Sequence, residues 1–187
     1  KLFVSVFKES GSQCEEDCTD SKIYENFIGI QKSTYNCEIK NVEYLEEFVK
    51  KSDTVLDVGC GSGILGITAS KLKAKKVIMT DIDECAVTAT EHNMKLNNIT
   101  NGTVLLKNLL DDNTVKGNVI VCNIMAEVLI FFAPYIGSNL LDGGYIILSG
   151  ILADRLDKVK KAYLDAGFFF VKERIKGEWS ALVMQKE

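Results

Sequence analysis

The chain has 187 residues, 47% of them apolar, which supports one sizeable hydrophobic core and excludes an intrinsically disordered protein. Its 22 basic and 26 acidic side chains leave a net charge of −4, so no chain-wide positive field exists to gather nucleic acid or an anionic membrane surface. No apolar run approaches the roughly 20 residues that a bilayer-spanning helix requires.

The negative excess lies at the start. Residues 1–50 hold 6 Lys and 10 Asp or Glu, whereas residues 51–187 hold 16 basic and 16 acidic side chains. The first ten residues, KLFVSVFKES, lack the basic region, long apolar stretch and small-residue cleavage site of a secretory signal. With six scattered cysteines that suit reduced thiols, this points to a cytoplasmic setting. Cys14 and Cys18 flank Glu15-Glu16-Asp17 and, with Cys37, invite a zinc reading. Structural zinc takes four ligands, however, and the single histidine, His92, falls in a distant helical stretch. No metal is expected, and residues 1–40 read as an acidic segment ahead of one domain, 41–187.

From Asn41 the chain alternates in type. Val42, Leu45, Phe48 and Val49 share one face of a helix over Asn41–Lys51. Strands follow near 54–58, 76–80, 103–107, 118–122 and 144–149, with helices near 64–73, 83–97, 126–137 and 153–166 between them. Such alternation implies crossover connections and a parallel sheet with helices on both faces. The tail breaks the rhythm: FFFVKERI and SALVMQ, joined through Lys176-Gly177-Glu178, predict an antiparallel hairpin added to that sheet. Pro134 is expected to kink its helix or mark the last turn.

The most informative stretch is VLDVGCGSG, Val55–Gly63, where three glycines stand between a strand and a helix, the place at which open α/β sheets bind ligands. Gly61-Ser62-Gly63-Ile64-Leu65-Gly66 also fits the GxGxxG dinucleotide pattern, and a tight turn with no ligand would look the same. Asp57 narrows the choice. A pyrophosphate loop gains nothing from a carboxylate inside its strand, whereas a ligand with a cationic portion gains a charge-assisted partner. S-adenosylmethionine is such a ligand, with a sulfonium, an amino group and no phosphate. Asp81 ends the second strand, 18 residues past Gly63, where a carboxylate can accept both ribose hydroxyls and Ile82 can pack on adenine. Asp83 reads as a helix N-cap.

These residues resemble the class I methyltransferases that use S-adenosylmethionine, and within them the PrmA type, which methylates large-subunit ribosomal protein eleven. The likeness spans Asn41–Lys186 and rests on five ordered blocks: TVLDVGCGSGILGI, AKKVIMTDID, VIVCNIMAEVL, LDGGYIILSGIL and GEWSALVMQK. It implies a three-layer Rossmann-like methyltransferase sheet, mostly parallel with a C-terminal antiparallel hairpin. It also implies that Asp57, Gly59, Cys60 and Gly61 line the methionine end of the cofactor, and that Asp81 and Ile82 hold ribose and adenine. Asn108 stands where the family usually has an acidic residue near the adenine amino group, and an amide oxygen can accept the same bond.

Asn123, at the end of the fourth strand, matches the family's Asn. It is expected both to border the cofactor and to act in catalysis, by accepting hydrogen bonds from a substrate amine and aiming its lone pair at the methyl group; a helix cap is the alternative. The family's Gly-, Thr- and His-rich loop ahead of the first strand corresponds to FIGIQKSTY, Phe27–Tyr35, with Lys32 near the His position. The family's N-terminal recognition domain is not expected here, since only a weakly patterned, net acidic segment of about 40 residues precedes the core.

The implied activity is methyl transfer to an amine of a protein, a ribosomal protein in the close family reading, with neither nucleic acid nor membrane as a direct partner. Alternatives are a cofactor-binding module without catalysis, a small-molecule methyltransferase and a nicotinamide-dependent oxidoreductase.

Overall fold

A computed structural model describes residues 43–108 and 114–187. Cys14, Cys18, Cys37, the Phe27–Tyr35 loop and the acidic segment 1–40 lie outside the described residues. A short helix, α1 (residues 43–48), leads into β1 (Thr54–Val58), α2 (Ile64–Lys71), β2 (Lys76–Asp81), α3 (Glu84–Leu96), β3 (Gly102–Leu106) and β4 (Gly117–Asn123). The chain continues through α4 (Ala126–Ile136), β5 (Leu140–Leu152), α5 (Leu156–Asp165), β6 (Phe168–Lys176) and β7 (Trp179–Lys186).

The seven strands form one sheet in the order β3-β2-β1-β4-β5-β7-β6. The first five are parallel; β7 runs antiparallel between β5 and β6, as the hairpin reading of the tail requires. β1 and β4 are neighbours although β2 and β3 lie between them in sequence, so the chain reverses its winding direction there, and the loops that leave their C-terminal ends open a crevice.

The central strands are buried on both faces, which is why they read as apolar runs rather than alternating ones. Side-chain parity divides them into two layers. Leu56, Ile120, Cys122, Ile146 and Leu148 pack with α4 and α5 through Leu129, Ala133, Val159 and Tyr163. Val55, Val77, Met79, Val119, Val121 and Ile147 pack on the other face with Leu45 of α1 and Leu65 and Ala69 of α2. The edge strand β6 is bulged between Phe170 and Lys172, and Lys172, Glu173 and Arg174 blunt it against further pairing. α1 docks beside it through Phe48 on Tyr145, with ring centroids 4.8 Å apart, and through Glu47–Lys172 and Glu43–Arg174 ion pairs.

Three elements differ from the sequence reading by three residues or more: α1 ends at residue 48 rather than 51, and β5 and the last helix also depart, β5 running on to Leu152 rather than 149. β5 starts at Leu140 rather than 144, because Gly143 takes φ +72° and Gly144 lies so close to Leu141 and Asn118 carbonyls that the strand bends there and continues. The last helix begins as a 3-10 turn, Ala153–Arg155, and becomes α-helical at Leu156. Pro134 falls in the last turn of α4. Among the described residues no helix is long and apolar enough to cross a membrane, and no group of His, Cys, Asp or Glu is placed to hold a metal ion.

Candidate functional site

The loop after β1 is shaped by its backbone. Gly59, Gly61 and Gly63 have φ of +70°, +55° and +79°, a region that side chains strain to enter. A Cβ on Gly59 would also sit 2.6 Å from Ile124 Cγ2, and one on Gly63 2.8 Å from Thr90 Cγ2. The Gly59 and Cys60 N–H groups both donate to Thr80 O, which ties the loop to the end of β2.

Asp57 is 1% exposed and projects from β1 toward α2, where its Oδ2 accepts the Gly66 N–H at 2.8 Å. The helix N-cap, Gly63, has no side chain, so this strand carboxylate satisfies a donor of the first turn in its place. The approach requires Gly66 to be glycine: a Cβ there would lie 2.5 Å from Met79 and 3.1 Å from Asp57 Oδ2. Burial pushes the Asp57 carboxyl up to about 7; the Gly66 hydrogen bond pulls it down, and the Asp81 carboxylate adds to the rise. A buried carboxylate in this state gains most from a cation brought against it.

Asp81 accepts the Gly61 N–H on Oδ2 at 2.9 Å and the Asp83 N–H on Oδ1 at 3.0 Å, so both the glycine loop and the start of α3 orient it. Asp83 caps α3 as expected, accepting from Cys85 N–H at 2.9 Å. Thr90 is fully buried on α3; its hydroxyl donates to Gly61 O at 2.9 Å and stands 3.4 Å from Cys60 Sγ. Because the threonine proton goes to the carbonyl, the Cys60 thiol is the donor in the second contact. Burial, followed by the Asp57 carboxylate, pushes that thiol up to about 12, which keeps it protonated and unreactive at neutral pH.

Two cavities open on this arrangement. The smaller, about 110 Å³, is bordered by Asp57, Gly59, Cys60, Gly61 and Asn123, with Ser62, Ile64 and Leu65. The larger, about 330 Å³, is bordered by Gly59, Asp81, Ile82 and Asn108, with Val58, Thr80, Lys107, Ile124, Met125, Val128 and Phe132. Gly59 belongs to both, and every candidate residue from the sequence lines one or the other. The smaller cavity mixes polar and apolar lining and is bordered by the glycine loop. The larger has apolar walls, and Ile82 and Met125, 79% and 68% exposed, stand at it uncovered by the other described residues.

Asn123 is not the N-cap of α4: that position is Met125, whose own side chain makes no capping bond. The Asn123 Oδ1 instead lies 3.1 Å from Ser149 Oγ on the neighbouring strand. His92 is exposed on α3 and lines neither cavity. Sequence reasoning missed Thr80 and Thr90, which hold the loop, and Met125, Val128 and Phe132, which wall the larger cavity. The last three recur at helical spacing and look like core positions until the fold turns them to the cleft.

A family model for ribosomal protein L11 methyltransferase (PrmA) matches residues 34–187. The chain belongs to this family. A ribosomal protein L11 methyltransferase of Agathobacter rectalis is 40% identical over 167 residues, covering 84% of this chain and 51% of the relative. Another, from Streptococcus equi subsp. zooepidemicus, is 41% identical over 143 residues, covering 76% and 45%. The chain therefore spans about half the length of the curated relatives it matches. A crystal structure of a ribosomal protein L11 methylase from Lactobacillus delbrueckii subsp. bulgaricus superposes with a TM-score of 0.74 at 38% identity, covering 80% of this chain and 79% of that one. A tRNA m1G37 methyltransferase of M. jannaschii superposes with a TM-score of 0.70 at 22% identity, a likeness of fold.

Proposed function

We propose that the chain binds S-adenosylmethionine across the two cavities and transfers its methyl group to an amine nitrogen of a protein, with a ribosomal protein as the acceptor. The observation that carries this is the placement of a buried carboxylate, Asp57, behind a glycine loop that ends one cavity, with Asp81 and apolar walls at the other. The residues suit the cofactor's two halves. Asp57 complements an ammonium, and the positive-φ glycines bring backbone N–H groups close to it. Asp81 is oriented to accept ribose hydroxyls, and Ile82, Met125, Val128 and Phe132 offer apolar surface to an adenine, with Asn108 at its edge.

When bound, S-adenosylmethionine supplies a methyl carbon on a sulfonium, the acceptor amine forming the C–N bond as the S–C bond breaks with its electrons left on sulfur. Asn123 borders the smaller cavity, where its amide oxygen can accept an N–H from that amine and fix the direction of the nitrogen lone pair. A neutral amine needs no strong base for the transfer, and its surplus proton passes to solvent afterwards. The family membership supports a ribosomal protein acceptor and a cytoplasmic setting, where thiols such as Cys60 and Cys122 stay reduced.

Thermal unfolding tests the cofactor assignment: S-adenosylmethionine or S-adenosylhomocysteine at 100 times its Kd should stabilise the fold by about 2.7 kcal/mol. Stabilisation by NAD instead would overturn it. Labelled-methyl transfer to ribosomal protein L11 tests the reaction, and label appearing in a small amine instead would replace the acceptor.

A further inference from the structure

We propose that Asn93 is a positioning residue for the amino-acid end of the cofactor, acting by fixing the peptide planes of the glycine loop; this rests on the cofactor reading proposed above. Asn93 sits half-buried on α3 and borders neither cavity. Its Nδ2 donates to Ser62 O at 2.8 Å. A carbonyl oxygen only accepts, so the NH2 group of the amide is the one turned to the loop. One turn earlier, the Thr90 hydroxyl donates to Gly61 O at 2.9 Å. Residues three apart share a helix face, so α3 meets two successive loop carbonyls with two successive donors.

That face differs from an ordinary packed stripe. Among the residues of α3 only Thr90 is buried, and the C-cap, Asn97, is 4% exposed. Apolar side chains normally fill such positions, because a buried polar group costs free energy unless it is bonded. Here the loop carbonyls supply acceptors. Asn97 Nδ2 donates to Asn93 O at 3.0 Å, which holds the last turn of the helix from which Asn93 reaches. The helix also backs directly onto the loop, since a Cβ on Gly63 would meet Thr90 Cγ2.

The two bonds give the loop a polarity. In a trans peptide unit the C=O and N–H point in opposite directions. With the Gly61 and Ser62 carbonyls turned to α3, the Ser62 and Gly63 N–H groups are turned away from it. The Gly63 N–H closes the turn on Cys60 O at 2.8 Å, and the Ser62 N–H is left directed to the side on which Gly61 and Ser62 border the smaller cavity. A flipped plane would put a carbonyl oxygen there. The amino-acid end of S-adenosylmethionine carries a carboxylate beside its ammonium, and a carboxylate gains from an N–H and is repelled by a carbonyl. Asn93 therefore favours ligands that carry the amino-acid end and is indifferent to the nucleoside, whose partners are Asp81 and the apolar walls of the other cavity.

The test is calorimetric titration of the parent, Asn93→Ala and Asn93→Asp with two probes: S-adenosylhomocysteine, and 5′-deoxy-5′-methylthioadenosine, which keeps the nucleoside and sulfur and lacks the amino-acid end. In Asn93→Ala, Kd for S-adenosylhomocysteine should weaken about fivefold, the worth of one hydrogen bond, with Kd for the truncated nucleoside within twofold of the parent. Asn93→Asp keeps the size of the side chain and sets an acceptor against the Ser62 carbonyl, so its loss for S-adenosylhomocysteine should reach about tenfold. It carries the same comparison should Asn93→Ala fail to fold. Equal weakening toward both probes, or affinity for S-adenosylhomocysteine within twofold of the parent in a folded variant, overturns the proposal while the cofactor reading stands. A parent that binds the truncated nucleoside as tightly as S-adenosylhomocysteine also overturns it, since the amino-acid end is then unread. A parent that binds neither probe overturns the cofactor reading and the proposal with it.

Discussion

At the glycine-loop end of the cleft, polar atoms are bound to one another before any ligand arrives: Asp57 to the Gly66 N–H, Asp81 to the Gly61 and Asp83 N–H groups, and Thr90 to Gly61 O. At the opposite end, Ile82 and Met125 are largely exposed, and Val128 and Phe132 complete a wall that nothing in the described residues covers. The first end is organised in advance, and on the proposed reading its recognition is electrostatic and directional. The second is an apolar surface left open, and its contribution to binding is area removed from water. The contrast teaches that one ligand can be held by two physically independent means, which respond differently to charge, pH and truncation.

The sharpest way to break the contrast is Asp57→Asn. The amide keeps an oxygen for Gly66 and loses the charge, so Kd for S-adenosylmethionine should weaken about 100-fold by calorimetry. The variant should also unfold at a higher temperature than the parent at pH 8, where the parent must keep an ionised carboxylate buried. Unchanged affinity would refute the electrostatic account of this end.

A second effect is pH. The folded pKa of Asp57, about 7, lies above its ordinary value of 3.8, so the folded state holds more protons than the unfolded one between them. Its contribution to stability is therefore full below about pH 4 and is lost as pH rises through about 7. Cation binding requires the ionised form, so affinity for S-adenosylmethionine should rise roughly eightfold from pH 6 to pH 7.5 in titrations, and Asp57→Asn should show no such rise.

The apolar end should behave otherwise. Ile82→Ala is expected to weaken cofactor binding about fivefold through lost contact area, with the melting temperature of the free protein unchanged because the side chain is 79% exposed. Its pH dependence should match that of the parent. The smallest effect is Thr90→Val, which keeps the shape and removes the hydroxyl bound to Gly61 O. A loss of about 1 kcal/mol in denaturant unfolding, and about threefold in cofactor affinity, would mark the loop as held from α3. A loss at only one of these readouts would separate folding from preorganisation.

Much of this was legible in the chain. The alternation of apolar runs with helical periods located every strand but β5, and most helices, to within a residue or two, because central parallel strands must be continuous and apolar. The glycines marked a turn at the end of β1, and Asp57 stood out beside them because a carboxylate inside that strand has no purpose in a structural turn alone. β5 was read four residues late at its start, since Asp142-Gly143-Gly144 looks like a strand boundary and only the packing against Asn118 lets the chain continue through it. Thr90 carried no signal: in a helix with Thr88 two residues away, nothing local says which hydroxyl turns inward. Asn123 was visible as a polar residue at a strand end, but its link to Ser149 joins positions 26 residues apart and exists only once β4 and β5 pair.

The sequence by itself determined the layering, the ligand-binding end of β1 and the chemical types of the groups placed there, because periodicity and residue type are local properties. Tertiary structure decided which of those groups meet. It set the carboxylate of Asp57 under a helix that lacks its own cap, turned Met125, Val128 and Phe132 from apparent core to cleft wall, and gave Asn123 a hydrogen-bond donor in place of a capping role. Burial, hydrogen-bond partners and the resulting shift in proton affinity depend on distances between residues remote in sequence, and those distances are set when the strands pair and the helices close over them.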